Sequence, residues 1–185
     1  MPDETDIPAL PLSQPLRPAE FNARRPVTFE IAPEATLRAA IADYLGAQAL
    51  RKLRFAGTLR PEGKHDWQLE AELGATLVQG CVVTLQPVTT RIDETVRRQY
   101  LAEWTPEDQE EAEIPEDETL EPLGAVIDPA AVMIEALALA MPLYPRAEGA
   151  DLGEAVHAEP GVTPMRDADA RPFAGLRDRL ARDED

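Results

Sequence analysis

The sequence has little cysteine, few aromatic residues and no long apolar run. Its single cysteine, Cys81, excludes an intrachain disulfide and suits a reducing compartment. No stretch approaches the roughly 18 apolar residues that a membrane-spanning helix needs. The acidic segment 1–6 is not followed by the apolar core of a secretory signal. We therefore expect a cytoplasmic protein without membrane contact.

Basic residues are also scarce, and they are unevenly placed. The 185 residues include 18 basic and 35 acidic ones, which gives a net charge of −17. Residues 1–100 are nearly balanced, whereas residues 101–145 contain 12 acidic residues and no lysine or arginine. Hydrophobic residues make up 44% of the chain. This content is enough for the core of one domain.

The acidic excess is concentrated in residues 103–122, which we call the acidic insert. Like-charge repulsion together with Pro106 and Pro115 favours a mobile loop here. The insert is either an anionic docking element for a basic partner or a solvated linker that keeps the protein soluble. The carboxylates predicted to dock a basic partner are Glu107, Asp108, Glu110, Glu111, Glu113, Glu116, Asp117 and Glu118.

Hydrophobic periodicity predicts an α+β domain over residues 21–146. We expect a mainly antiparallel, curled and barrel-like sheet with two packed helices. The expected helices are 33–45 and 129–140, each with a proline in its first turn. Alternating or β-branched residues predict strands at 27–31, 53–60, 66–77, 81–85 and 88–100.

The segments on either side of this domain have few folding signals. Residues 1–20 contain five prolines and predict a disordered arm. Residues 147–185 have turn-forming and acidic residues without a sustained period, so we expect a mostly irregular tail. A short segment at 171–180 is expected to dock on the domain.

One group of basic residues could contact RNA phosphates. On a strand, alternate members of this group point to the side opposite the apolar residues. No aromatic residue interleaves on that side to stack on bases, and cross-strand carboxylates could equally pair with these cations. The candidate RNA-binding residues, which we call the basic stripe, are Arg51, Lys52, Arg54, Arg60 and Lys64.

The sequence contains no recognisable catalytic or cofactor motif. His65 and His157 are isolated, and neither lies in a metal-ligand spacing. Glycine-rich phosphate loops and the nucleophile elbow are absent. We therefore expect no enzyme activity and no cofactor.

The order of features resembles the YceD family, the large ribosomal RNA subunit accumulation proteins. A helix, the segment LRFAGTLR, a long amphipathic strand and GCVVTLQPV follow one another. The acidic insert, a helix that ends at Pro142 and the closing RPFAGLR also resemble that family. The family-motif positions in this chain are Gly80, Cys81, Thr84, Leu85 and Pro87.

This resemblance implies a role in the biogenesis or stability of the large-subunit (23S) ribosomal RNA, and it implies no established enzyme activity. Many members carry C-x-x-C where this chain has Cys81 and Thr84, and further cysteines after the proline corresponding to Pro142. These pairs are the reason that some members are described as metal-binding proteins. One cysteine and two scattered histidines cannot supply a tetrahedral zinc site, so we predict no metal.

Three functions follow from these observations. The first is a non-enzymatic ribosome biogenesis factor that binds a basic ribosomal protein or a large-subunit precursor through its acidic surface. The second is a direct rRNA-binding protein that uses the basic stripe. The third is an uncharacterised hydrolase or nuclease with a carboxylate site.

Overall fold

A computed structural model describes residues 9–21, 25–103, 120–151 and 161 of the chain. The chain divides into two compact units, residues 1–147 and residues 148–185. All of the helices and strands that the structure describes belong to the first unit.

Three strands form the first part of the sheet. They are β1 (Val27–Ile31), β2 (Ala49–Glu62) and β3 (Asp66–Gly80). The strict alternation of apolar and polar residues in β3 makes one side of that strand buried and the other accessible. All three strands lie where the periodicity predicts them, although β2 and β3 are longer than expected.

The sheet is completed by β4 (Pro87–Leu101) and the short β5 (Leu120–Pro122). The spatial order is β1-β2-β3-β4-β5, with antiparallel pairing except between β4 and β5, which are parallel. The sheet is therefore mixed and open, with β1 and β5 as its edges. The expected barrel-like closure is not found among the described residues.

Two α-helices, α1 (Ala35–Tyr44) and α2 (Pro129–Ala140), confirm the existence of both predicted helices. The placement of Pro33 in the first turn of α1 is wrong, because Glu34 is the extended N-cap and Pro33 precedes it. At the start of α2 the Asp128 carboxylate accepts hydrogen bonds from the N–H groups of Ala130 and Ala131, and proline occupies the first turn. Gly46, with a φ of 68°, follows the end of α1. The fold is thus α+β.

The core lies between one side of the sheet and the two helices. Phe55, Leu69 and Leu73 of the sheet are fully or almost fully buried, as are Met133 and Leu137 of α2. Packing at this density makes the loss of even a few methylene groups costly. Neither described helix has the length and apolar composition that crossing a membrane would require.

The prediction of a strand at residues 81–85 is wrong. These residues form the loop between β3 and β4, where the Cys81 N–H donates to the Gln86 carbonyl and the Leu85 N–H donates to the Cys81 carbonyl. Leu85 has a φ of 61°, which a strand cannot accommodate. The β-branched residues of the segment favour a strand. The chain must reverse direction here to connect the antiparallel strands β3 and β4, and this turn determines its conformation.

We expected residues 1–20 to be a disordered arm. Within this arm, residues 13–16 make specific contacts with the domain, and so does the neighbouring Phe21. Leu16 exchanges backbone hydrogen bonds of 2.7 and 2.8 Å with Ile127. The Ser13 hydroxyl and the Gln14 N–H both donate to the Asp128 carboxylate. Phe21 lies edge-on to Trp67, with ring centroids 6.1 Å apart. These hydrogen bonds and the Phe21–Trp67 contact therefore hold this part of the chain against the domain.

The predicted docking segment 171–180 lies outside the described residues.

We predict that replacing Leu137 by alanine lowers the free energy of unfolding by about 2–5 kcal/mol, because its side chain is 1% exposed and fills the core. Urea unfolding followed by circular dichroism measures this loss. The matched control is Leu139→Ala on the same helix, where the residue is 75% exposed. It should change stability by less than about 0.5 kcal/mol. Equal losses in the two variants would contradict the position of α2.

Candidate functional site

The side of the sheet that faces away from the helices is uncovered by any described element, and we call it the open face. Its side chains come from alternate positions of β1 to β4, opposite the buried residues. The face carries five basic and six acidic residues interleaved with threonine. These charged residues are Lys52, Arg54, Arg60, Arg91, Arg97, Glu30, Glu62, Asp66, Glu70, Glu72 and Asp93.

Most arginines of the open face are paired with carboxylates of the same sheet. The Arg54 Nε lies 2.8 Å from Glu30, and Glu70 lies between Arg60 and Arg97 at 3.9 and 3.3 Å. Arg91 donates to Asp93, and this hydrogen bond lowers the pKa of that carboxyl. Each exposed pair contributes little to stability. Together the pairs cancel most of the charge of the face.

The structure separates the members of the basic stripe. Lys52, Arg54 and Arg60 share the open face, Arg51 lies at a β-bulge, and Lys64 lies in the turn between β2 and β3. At about 3.3 Å per residue, Lys52 and Arg60 are roughly 26 Å apart along the strand. The RNA-binding role of these five residues stays a prediction.

The sequence analysis did not predict that arginines of β4 belong to the surfaces of the sheet described here. Arg91 and Arg97 reach the open face, while Arg98 points to the helix side. The register of the β3–β4 hairpin could have indicated this, because positions 91, 93, 95 and 97 alternate with buried residues at 92 and 96.

The eight predicted docking carboxylates lie outside the described residues. The structure does place both ends of the acidic insert. The chain leaves β4 after Leu101 and returns as β5, which pairs with Gln99–Leu101. Both ends of the insert are therefore held at one edge of the sheet.

A cluster around the partly buried Arg98 anchors the returning end of the insert. The Arg98 side chain, only 14% exposed, contacts Glu121 of β5 at 3.0 Å and Glu135 of α2 at 3.1 Å. Burial raises the pKa of Glu121, and the positive charge of Arg98 opposes this shift. Two carboxylates share one guanidinium, so the cluster keeps a net negative charge.

The loop between β3 and β4 is organised around the Cys81 sulfur. The Sγ atom accepts hydrogen bonds from the N–H groups of Val83, Thr84 and Ala147 at 3.3–3.4 Å. The Thr84 hydroxyl and the Ala147 N–H are the main causes that lower the pKa of the Cys81 thiol to about 6, against the effect of burial. The hydrogen-bond donors of this loop therefore favour the thiolate form of Cys81.

The residues around Cys81 do not fit a tetrahedral metal site. Thr84 stands where the resemblance implies a second cysteine in other members, and the segment opposite supplies the Ala147 N–H rather than a thiol. Within the part of the chain that the structure describes, no three His, Cys, Asp or Glu side chains form a group able to hold a metal ion. Gly80 and Pro87, which pair with each other, and Leu85 shape the hairpin loop.

The fold and its surfaces define an α+β domain with an open mixed sheet, one covered side and an acidic insert at one edge. A comparison with known protein families identifies the family of the chain. The model of the Large ribosomal RNA subunit accumulation protein YceD matches residues 69–178, more than half of the chain. The chain belongs to the YceD family, which confirms the resemblance.

The match begins inside β3, so β1, α1 and β2 lie outside it. No curated protein and no solved structure matches the chain.

We predict that Cys81 makes the stability of the domain depend on pH. The thiol pKa is about 6 in the folded chain and near 9 when unperturbed, so the unfolded state binds more protons between these values. The contribution of the thiolate to the free energy of unfolding is therefore fully present above about pH 9 and is lost as the pH falls through 6. The melting temperature of the wild type should exceed that of Cys81→Ser by more at pH 8.5 than at pH 5.5.

The Thr84→Val variant provides an independent check. Removal of the hydroxyl should raise the pKa of Cys81, measured by thiolate absorbance at 240 nm. An unchanged titration midpoint would show that this hydroxyl does not stabilise the thiolate.

Proposed function

We propose that this protein supports accumulation of the large ribosomal RNA as a non-enzymatic factor that binds a basic ribosomal protein or assembly intermediate. The family to which the chain belongs is named for accumulation of the large ribosomal RNA subunit. The finer proposal concerns how this chain contributes, namely through a cationic protein partner.

The placement of charge is the observation that supports this proposal. Residues 101–145 carry 12 acidic residues and no lysine or arginine, and both ends of the insert lie at the β4–β5 edge. A concentrated negative field attracts a cationic partner and speeds its encounter with the domain. The same field repels the phosphates of free RNA.

The open face supports a binding role rather than catalysis. Its carboxylates are exposed or half-buried, and several are paired with arginine or threonine, as in the contact between Glu72 and the Thr95 hydroxyl. A general acid or base needs a desolvated or specifically coupled carboxyl near the reacting atom. The described carboxylates of this face lack that environment.

Direct binding of rRNA is the second candidate function. Arg51, Lys52 and Lys64 have no ion-pair partner among the described residues, so they are available to phosphates. Arg54 and Arg60, in contrast, already contact carboxylates. The balanced charge of the open face makes this candidate the weaker one.

Neutralising the acidic insert tests the proposal. We expect a variant with all eight predicted docking carboxylates replaced by their amides to fail to restore large-subunit rRNA in cells lacking the protein, because it no longer attracts the cationic partner. The ratio of large-subunit to small-subunit rRNA measures the result. The control variant, Arg54→Glu with Arg60→Glu, should restore the normal ratio.

Two outcomes would contradict the proposal. Full rescue by the neutralised insert would remove the role of its charge. Loss of rescue in the Arg54→Glu, Arg60→Glu variant, with loss of a salt-sensitive RNA affinity in the purified protein, would support direct rRNA binding instead. Circular dichroism of each purified variant verifies that the domain is folded.

A further inference from the structure

Strand β4 has a long outer edge that no described strand covers. Fourteen of its 15 residues, Pro87 to Tyr100, follow a regular register with β3. On its other side, β5 pairs only with Gln99–Leu101. Within the described ranges, backbone N–H and C=O groups before Gln99 therefore have no partner strand on that side. Such an edge is a template for another extended chain.

The hydrogen bonds of β4 show which of its residues direct their backbone N–H and C=O groups towards the outer edge. The Leu101 carbonyl accepts from the Leu123 N–H, 2.9 Å away, on the β5 side. Alternate residues of a regular strand direct their N–H and C=O groups to the same edge. Asp93, Thr95 and Arg97 therefore present their backbone groups outward, while their side chains lie on the open face.

A groove runs beside this edge, between β4 and helix α2. Its volume is about 630 Å³, and residues 94–98 form one wall. Ala136, Leu139 and Ala140 form the other wall, and Leu139 is 75% exposed. Alternate side chains of a strand added to β4 would point towards this groove. An apolar side chain there would cover Leu139.

The charge beside the groove favours a cationic occupant. Arg98 is shared between Glu121 and Glu135, and Glu94 is an exposed groove residue. Arg97 is matched by Glu70 on the open face. The groove and its immediate partners therefore carry more carboxylates than guanidinium groups. A second copy of this chain, with its net charge of −17, would be repelled.

We propose that the outer edge of β4 and its groove bind an extended basic segment of the protein partner by strand addition. This inference rests on the proposed function, because it names the site and the chemistry of the same partner. Main-chain hydrogen bonds to residues 93–97 provide affinity. A lysine or arginine side chain faces Glu94, and an apolar side chain covers Leu139.

A proline at the outward-facing position 95 tests the backbone contact. Thr95→Pro removes an outward N–H while the inward-facing groups that pair with β3 are retained. Thr95→Val is the matched control, because it also loses the hydroxyl contact with Glu72 but keeps the N–H. The probe is a labelled nine-residue peptide of alternating lysine and valine, with binding to the full chain followed by fluorescence anisotropy. Thr95→Pro should weaken binding about tenfold relative to Thr95→Val.

A second pair of variants tests the groove without altering the strand. Leu139→Lys should weaken binding of the same peptide, whereas Leu143→Lys, at a residue that is 85% exposed and outside the groove, should not. Hydrogen exchange should show slower exchange of the outward amides of Asp93, Thr95 and Arg97 when the peptide is bound. A peptide with glutamate in place of lysine should bind at least tenfold more weakly.

The outcomes distinguish this inference from the function on which it rests. Equal binding by Thr95→Pro and Thr95→Val, and by Leu139→Lys and Leu143→Lys, would overturn strand addition. Equal binding of the glutamate peptide would overturn the proposal that the bound segment is basic. A dimer in sedimentation velocity that Thr95→Pro dissociates would assign the edge to a second copy and also overturn it. In each case the proposed function would survive if neutralising the acidic insert still abolished rescue of the rRNA.

Discussion

The register of the three long strands β2, β3 and β4 constrains every surface of this domain. Side chains alternate between the two sides of a sheet, so a slip of one residue would exchange the core for the open face. In the observed register, Phe55 pairs with Leu73 on the buried side while Ala56 pairs with Glu72 on the accessible one. The helices cover only the apolar side, and the charged pairs of the other side follow from the same alternation. β4 extends well beyond the three residues that β5 covers, so no strand among the described residues covers the rest of its outer edge, beside the groove.

Charge has two different arrangements in this protein. On the open face, basic and acidic residues are interleaved and largely cancel, as in the contacts of Glu70 with Arg60 and Arg97. Residues 101–145 carry carboxylates without lysine or arginine, and Arg98 pairs with Glu121 at the returning end of the acidic insert. Because charges that cancel over a few ångströms produce little field at a distance, the long-range field comes from the acidic insert. The proposed cationic partner would therefore approach the β4–β5 edge, where both ends of the insert lie, rather than the open face.

Local patterns in the sequence predicted most of the fold. The period of β3 and the Asp128-Pro129 start of α2 were sufficient because each depends on neighbouring residues. The loop at residues 81–85 was mistaken for a strand, since its apolar composition carries no record of the sulfur contact with Ala147 far along the chain. Closure of the sheet was not predictable either, because it depends on where the ends of β1 and β5 lie in space. For the sites, the sequence indicated that cross-strand carboxylates could pair with the basic stripe, and the structure has such pairs at Arg54 and Arg60. The edge of β4 could not be predicted, because it depends on which strands lie beside β4. The predicted docking carboxylates remain a prediction.

The Asp128 carboxylate connects distant parts of the chain in a way that bears on biosynthesis. It accepts hydrogen bonds from Ser13 and Gln14, which lie 115 and 114 positions earlier, and from the first N–H groups of α2. Ser13, Gln14 and Leu16 are made early, yet their partners Asp128 and Ile127 become available only when the chain past residue 128 has left the translating machinery. The long strands can pair before that moment, since their contacts are nearer in sequence. Docking of residues 13–16 is thus a late event in the maturation of each newly made molecule.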